Sequence, residues 1–174
     1  MTRTKSSVLI SASILAALGA CSSRPHGMAA ATPAPVAAAP APTRPDGALS
    51  LGERLAREAA SRPAGGLRVE AVAQTLAAGG LALGPLHQVL ARTVGARYCA
   101  SARSAAGSAV ALCEFADDAT AARGLDYSRA TFDRLVPGRR LARARNLTVT
   151  LTPAQPGAGF ADDASRAGAV LAAL

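Results

Sequence analysis

A chain of 174 residues, half of them apolar but only 3% aromatic and none tryptophan, has room for one ordinary domain with a modest core. Its charge of +8 comes from 19 basic and 11 acidic residues, and Lys5 is the only lysine. So much arginine beside so much alanine fits a GC-rich coding sequence, and the scarcity of stacking aromatics argues against a nucleic-acid partner.

Residues 1–20 fall into three parts. Arg3 and Lys5 make a positive start, Ser6 to Ala17 is apolar or small, and Leu18-Gly19-Ala20-Cys21 follows. The apolar run is too short to cross a hydrocarbon layer of about 30 Å, so it reads as a cleaved export signal. Leu18-Gly19-Ala20-Cys21 resembles the lipobox of bacterial lipoproteins. That resemblance covers only the first 21 residues. It implies a diacylglyceryl group on the Cys21 thiol, cleavage after Ala20, and a protein held at a membrane by its acyl chains without spanning it. Ser22, in place of aspartate, implies the periplasmic face of the outer membrane if the cell is Gram-negative.

From residue 21 to 46 the chain is rich in proline and alanine. Proline fixes φ and removes a donor, so this stretch predicts a polyproline-like stalk, on the order of 70 Å if fully extended. One small domain is then predicted over residues 47–174.

Ser50 followed by Glu53 is a capping box that opens a helix through about Ser61, with Leu51, Leu55, Ala56 and Ala59 on one face. Val69, Val72, Ala73, Leu76 and Ala77 have the spacing of a second helix over 69–78, ended by Gly79-Gly80. Segments 88–94 and 96–102 read as strand interrupted at Gly95, and 108–115 reads as its hairpin partner across a turn at 104–107. Asp117-Asp118 caps a helix over 119–135, which Pro137-Gly138 stops. Leu147, Val149 and Leu151 alternate with Thr148, Thr150 and Thr152, the period of a half-buried strand. A last helix spans 163–173, with Asp162-Asp163 as its cap.

The order α-α-β-β-α-β-α points to an α+β fold, with helices over one face of a small, largely antiparallel sheet. Segment 69–152 has the order of a ferredoxin-like split β-α-β unit without a clear first strand.

Few residues offer chemistry. If Ala106 centres the hairpin, Cys99 and Cys113 stand directly opposite, which predicts a structural disulfide in an exported protein. Free buried thiols and a redox-active pair are the alternatives. The only histidines are His26, in the stalk, and His87, at a loop edge. With Cys21 lipidated they fall short of a zinc site, so neither a metal nor any other cofactor is expected. No Gly-x-Ser-x-Gly elbow appears, and adjacent acids cannot face one another across a substrate, so no catalytic residue is assigned. Arg139, Arg140, Arg143 and Arg145 form the one candidate anion-binding cluster, Arg143 and Arg145 sharing one side of an extended segment. A solvated loop and strand edge that discourages pairing is the simpler account of them. The function expected is a non-catalytic envelope lipoprotein that contacts another envelope protein or a cell-wall polymer. The second reading is an arginine-mediated binder of anionic polymer or lipid headgroups, and an enzyme of another kind is the third.

Overall fold

The computed structural model describes residues 46–154 and 158–174. The predicted signal, Cys21, His26 and the stalk lie outside the described residues. Helix α1 (Leu51–Ala60) opens as its capping box predicts: the Ser50 N–H donates to Glu53 Oε2 at 2.8 Å, and Ser50 Oγ accepts from the Glu53 N–H. Its seat on the domain is not the apolar stripe, however. Leu51 is 60% exposed and Ala56 and Ala59 face solvent, while Glu58 is buried. The Glu58 carboxylate accepts from the backbone N–H groups of Ala91 and Arg92, where a short 3-10 turn (Arg92–Val94) begins. A buried acid at that place satisfies donors that the turn itself leaves open.

Helix α2 (Val69–Ala78) matches its predicted bounds and buries Val69, Val72 and Leu76. Five strands follow: β1 (His87–Val89), β2 (Tyr98–Arg103), β3 (Ala109–Glu114), β4 (Arg140–Ala144) and β5 (Leu147–Thr152). They form one open sheet in the order β1-β2-β3-β5-β4, antiparallel at every step. Helix α3 (Asp118–Phe132) links β3 to β4, and α4 (Ala158–Ala172) ends the chain. Since β3 and β4 are each antiparallel to the β5 between them, β3-α3-β4 is a split β-α-β connection.

The α+β class and antiparallel sheet agree with the sequence reading, and the structure adds detail to it. The interrupted strand is a three-residue β1 and a six-residue β2, separated by the 3-10 turn that Gly95 ends at φ +73°. Strand β4 adds an edge that the arginine-rich sequence conceals. The expectation that the helices lie over one face is corrected, because they divide between the two. Helices α2 and α4 bury Val72, Leu76, Ala167 and Leu171 against Val110, Leu112, Val149 and Leu151. Helix α3 lies over the opposite face, where Ala121 joins Phe115, Cys99 and Cys113. This second cover explains why Thr148, on the supposedly wet face of β5, is only 7% exposed.

Tight packing fixes α3. A Cβ built on Gly124 would lie 2.2 Å from Phe115 Cε1, so only glycine lets the helix approach that ring. Across the hairpin Cys99 pairs with Cys113 in register, Cα atoms 4.2 Å apart, and the two sulfurs are bonded at 2.04 Å. That spacing is typical of a non-hydrogen-bonded antiparallel pair. The predicted disulfide is present.

Candidate functional site

The four arginines singled out from the sequence do not form one patch. Arg139 is consumed structurally: its Nη2 donates to the buried Ser128 hydroxyl at 2.7 Å, and its guanidinium lies 5.5 Å from the Phe132 ring centre. Arg140 is exposed at the start of β4, three residues from Arg143 and so on the other face of the strand. Arg143 pairs with Asp118 in the first turn of α3. Strand β4 ends at Ala144, so Arg145 leaves its line and enters the β4–β5 turn at φ +51°. The expectation that Arg143 and Arg145 share one side of an extended segment therefore fails.

Arg145 lines a cavity of about 520 Å3 together with Arg97, Ser61, the Pro63–Gly66 loop and Asp117. The walls have clear physical causes. Pro63 and Gly65-Gly66 prevent α1 from running into α2, leaving a loop. Asn146, 5% exposed, ties that loop to the sheet: its Oδ1 accepts from the Leu67 N–H at 2.7 Å, and its Nδ2 donates to the Leu67 and Phe115 carbonyls. At Gly66 φ is +90°, and a Cβ there would lie 2.5 Å from Asn146 Oδ1, so glycine suits both the turn and the close approach.

The acids at this cavity are already engaged. Asp117 caps α3, and the Thr120 backbone N–H, then its hydroxyl, hold the carboxyl below its ordinary 3.8. Asp118 holds Arg143. Among the described residues no carboxylate pairs with Arg97 or Arg145, and both are exposed. A second hollow of about 330 Å3 shares Ser61 and Arg97 with the first and adds Arg54, Arg57 and Arg92. The Glu58 carboxylate lines this second hollow as well.

Sequence reasoning missed a buried ionic hub beside it. Glu114, fully buried on β3, accepts from Arg62 Nε at 3.1 Å, from Arg62 Nη2, and from Arg68 Nη1 at 3.3 Å. It also accepts from the Val69 N–H at 2.8 Å, which caps α2 from a distance. Arg62 reaches Glu70 with both terminal nitrogens and lies 3.9 Å over the Tyr98 ring. The Arg62 hydrogen bonds hold the Glu70 carboxyl below its ordinary range. Burial pushes the Tyr98 hydroxyl up, against the pull of the Arg62 charge. The partners of Glu114 lie 45 to 52 residues from it in sequence, which leaves no local pattern to find.

The predicted Asp162-Asp163 cap is also revised. Helix α4 starts at Ala158, which places Asp163 within it, buried and accepting from the Ser104 and Ser108 hydroxyls at 2.5 and 2.7 Å. His87 is exposed on β1. Among the described residues no three metal-ligating side chains converge, and no helix is long and apolar enough to cross a membrane. Comparison with protein-family models, curated proteins and solved structures finds no match.

Proposed function

We propose that this protein is a lipid-anchored component of the bacterial cell envelope, whose domain over 47–174 works by binding and not by catalysis. The Cys99–Cys113 disulfide carries the reading. Structural disulfides persist in oxidising compartments, which suits export by the leader and anchoring at Cys21. The use of the interior acids supports a binding role. Glu58 and Glu114 hold backbone N–H groups, and Asp163 holds two serines, so each stabilises the fold. Another envelope protein or a cell-wall polymer is the partner this reading favours. Ser22 favours the outer membrane in a two-membrane cell.

Feeding cells labelled palmitate tests the anchor. Label should enter the native chain and be lost with Cys21→Ser, which should also leave the membrane fraction. An unlabelled native chain, or a Cys21→Ser variant that partitions unchanged, refutes anchoring. The second reading, arginine-mediated binding of anions, is favoured by one observation: unpaired Arg97 and Arg145 line the same cavity.

A further inference from the structure

The turn joining β4 to β5 contains two residues, Arg145 and Asn146, between Ala144 and Leu147. At its first position φ is +51°, the left-handed region where glycine is at home and other residues are strained. Arginine has no conformational reason to sit there. Arg145 is the only non-glycine residue with positive φ among the described residues. A side chain kept at such a position invites a search for what it faces.

Arg145 faces the cavity of about 520 Å3, and Arg97, from the approach to β2, lines the same space. Neither has a carboxylate partner among the described residues, whereas the acids at the rim do have partners: Asp117 caps α3 and Asp118 pairs with Arg143. Another part of the lining is the Pro63–Gly66 loop, where Gly65 and Gly66 bear no side chain to fill the space. Asn146 fixes that loop to the turn that carries Arg145, so the two are held in register. The volume exceeds what a bare ion fills and lies within the range of small-molecule sites. Guanidinium groups match the planar or tetrahedral oxygens of carboxylate and phosphate.

We propose that this cavity binds an oxyanion group, phosphate or carboxylate, carried on a small polar body, with Arg97 and Arg145 as its cationic ligands. The site gives a ligand class to the binding role proposed above and rests on that role, but not on the lipid anchor.

The test is calorimetric titration of the full chain in detergent with two probes, glycerol 3-phosphate and malonate. Saturable binding of at least one probe is expected, weakened at least tenfold by Arg97→Gln and by Arg145→Gly. The stronger probe identifies which oxyanion the site prefers. Arg140→Gln, at the far end of β4, should bind as the native chain does. Arg145→Gly should also unfold no earlier than the native protein, because glycine relieves the strain at φ +51°. No saturation by either probe at millimolar concentration overturns the inference. Equal losses in all three variants overturn it as well, since diffuse charge then suffices. So does an Arg145→Gly chain that melts earlier, which gives the side chain a purely structural duty. Anionic vesicles of phosphatidylglycerol form a last arm: binding to vesicles but to neither soluble probe assigns the arginines to a membrane surface and refutes the cavity. Palmitate incorporation without probe binding removes only this site, and the converse removes only the anchor.

Discussion

Two buried residues show how single positions govern this fold. Glu114 joins β3, the α1–α2 loop and the first turn of α2 through one carboxylate. Glu114→Gln keeps the shape, removes the charge, and sets an amide N–H2 against groups that are themselves donors. Breaking a buried ion pair from one side costs about 3–5 kcal/mol, and since Arg62 retains some solvent and Glu70, a loss of about 3 kcal/mol is expected. Urea denaturation should show it as a lower midpoint at unchanged slope, and a loss below about 1 kcal/mol would remove Glu114 from its central place. At Gly124 two effects compete. Alanine is the better helix former by about 1 kcal/mol, but its Cβ would meet Phe115 at 2.2 Å and the Val94 carbonyl at 3.1 Å. Overpacking of a core costs about 1–3 kcal/mol, so Gly124→Ala should lower the melting temperature. Phe115→Leu in the same chain should recover part of the loss.

At the scale of elements, the hairpin and α2 were legible because their information is local. The apolar spacing of Val69, Val72 and Leu76 and the symmetry of Cys99 and Cys113 about Ala106 need no distant partner. Strand β4 was hidden because an edge strand of Arg140-Leu141-Ala142-Arg143-Ala144 has no clean alternation, and pairing with β5 alone defines it. Helix α1 was found, but its contact was misjudged: a buried Glu58 outweighs an exposed apolar stripe once backbone N–H groups at Ala91 and Arg92 need an acceptor. Of the candidate site, Arg145 was found and Arg97 was not, because the pairing of β2 with β3 and of β3 with β5 brings them to one cavity from distant positions. The β2–β3 crosslink closes a sequence separation of 14 residues and should contribute about 3 kcal/mol. Replacing both cysteines by alanine should lower the melting temperature correspondingly. Mass spectrometry of the unreduced protein should detect no alkylatable thiol at Cys99 or Cys113.

For the whole molecule, acid should be more damaging than alkali across the carboxylate range. Glu53, Glu70 and Asp117 all titrate below their ordinary values when folded, through hydrogen bonds from Ser50, Arg62 and Thr120 respectively. Between the lowered and the ordinary values the unfolded chain binds more protons, so stability rises with pH there. The contribution is complete above the ordinary 4.5 of glutamate and disappears as pH falls through the lowered values. Melting temperature should therefore stay level from about pH 7 to 5 and fall below that range, and Glu70→Gln should flatten part of the fall. A drop that begins near neutrality would assign acid sensitivity to other groups.

The position of α4 also bears on when the molecule can close. Ala167 and Leu171, near the C-terminus, complete the same apolar layer that α2 begins near residue 69. A nascent polypeptide whose final helix is still inside the ribosome leaves Val110, Val149 and Leu151 open on that side, however long its earlier segments have been free. The apolar layer therefore closes only once the segment that forms α4 has emerged.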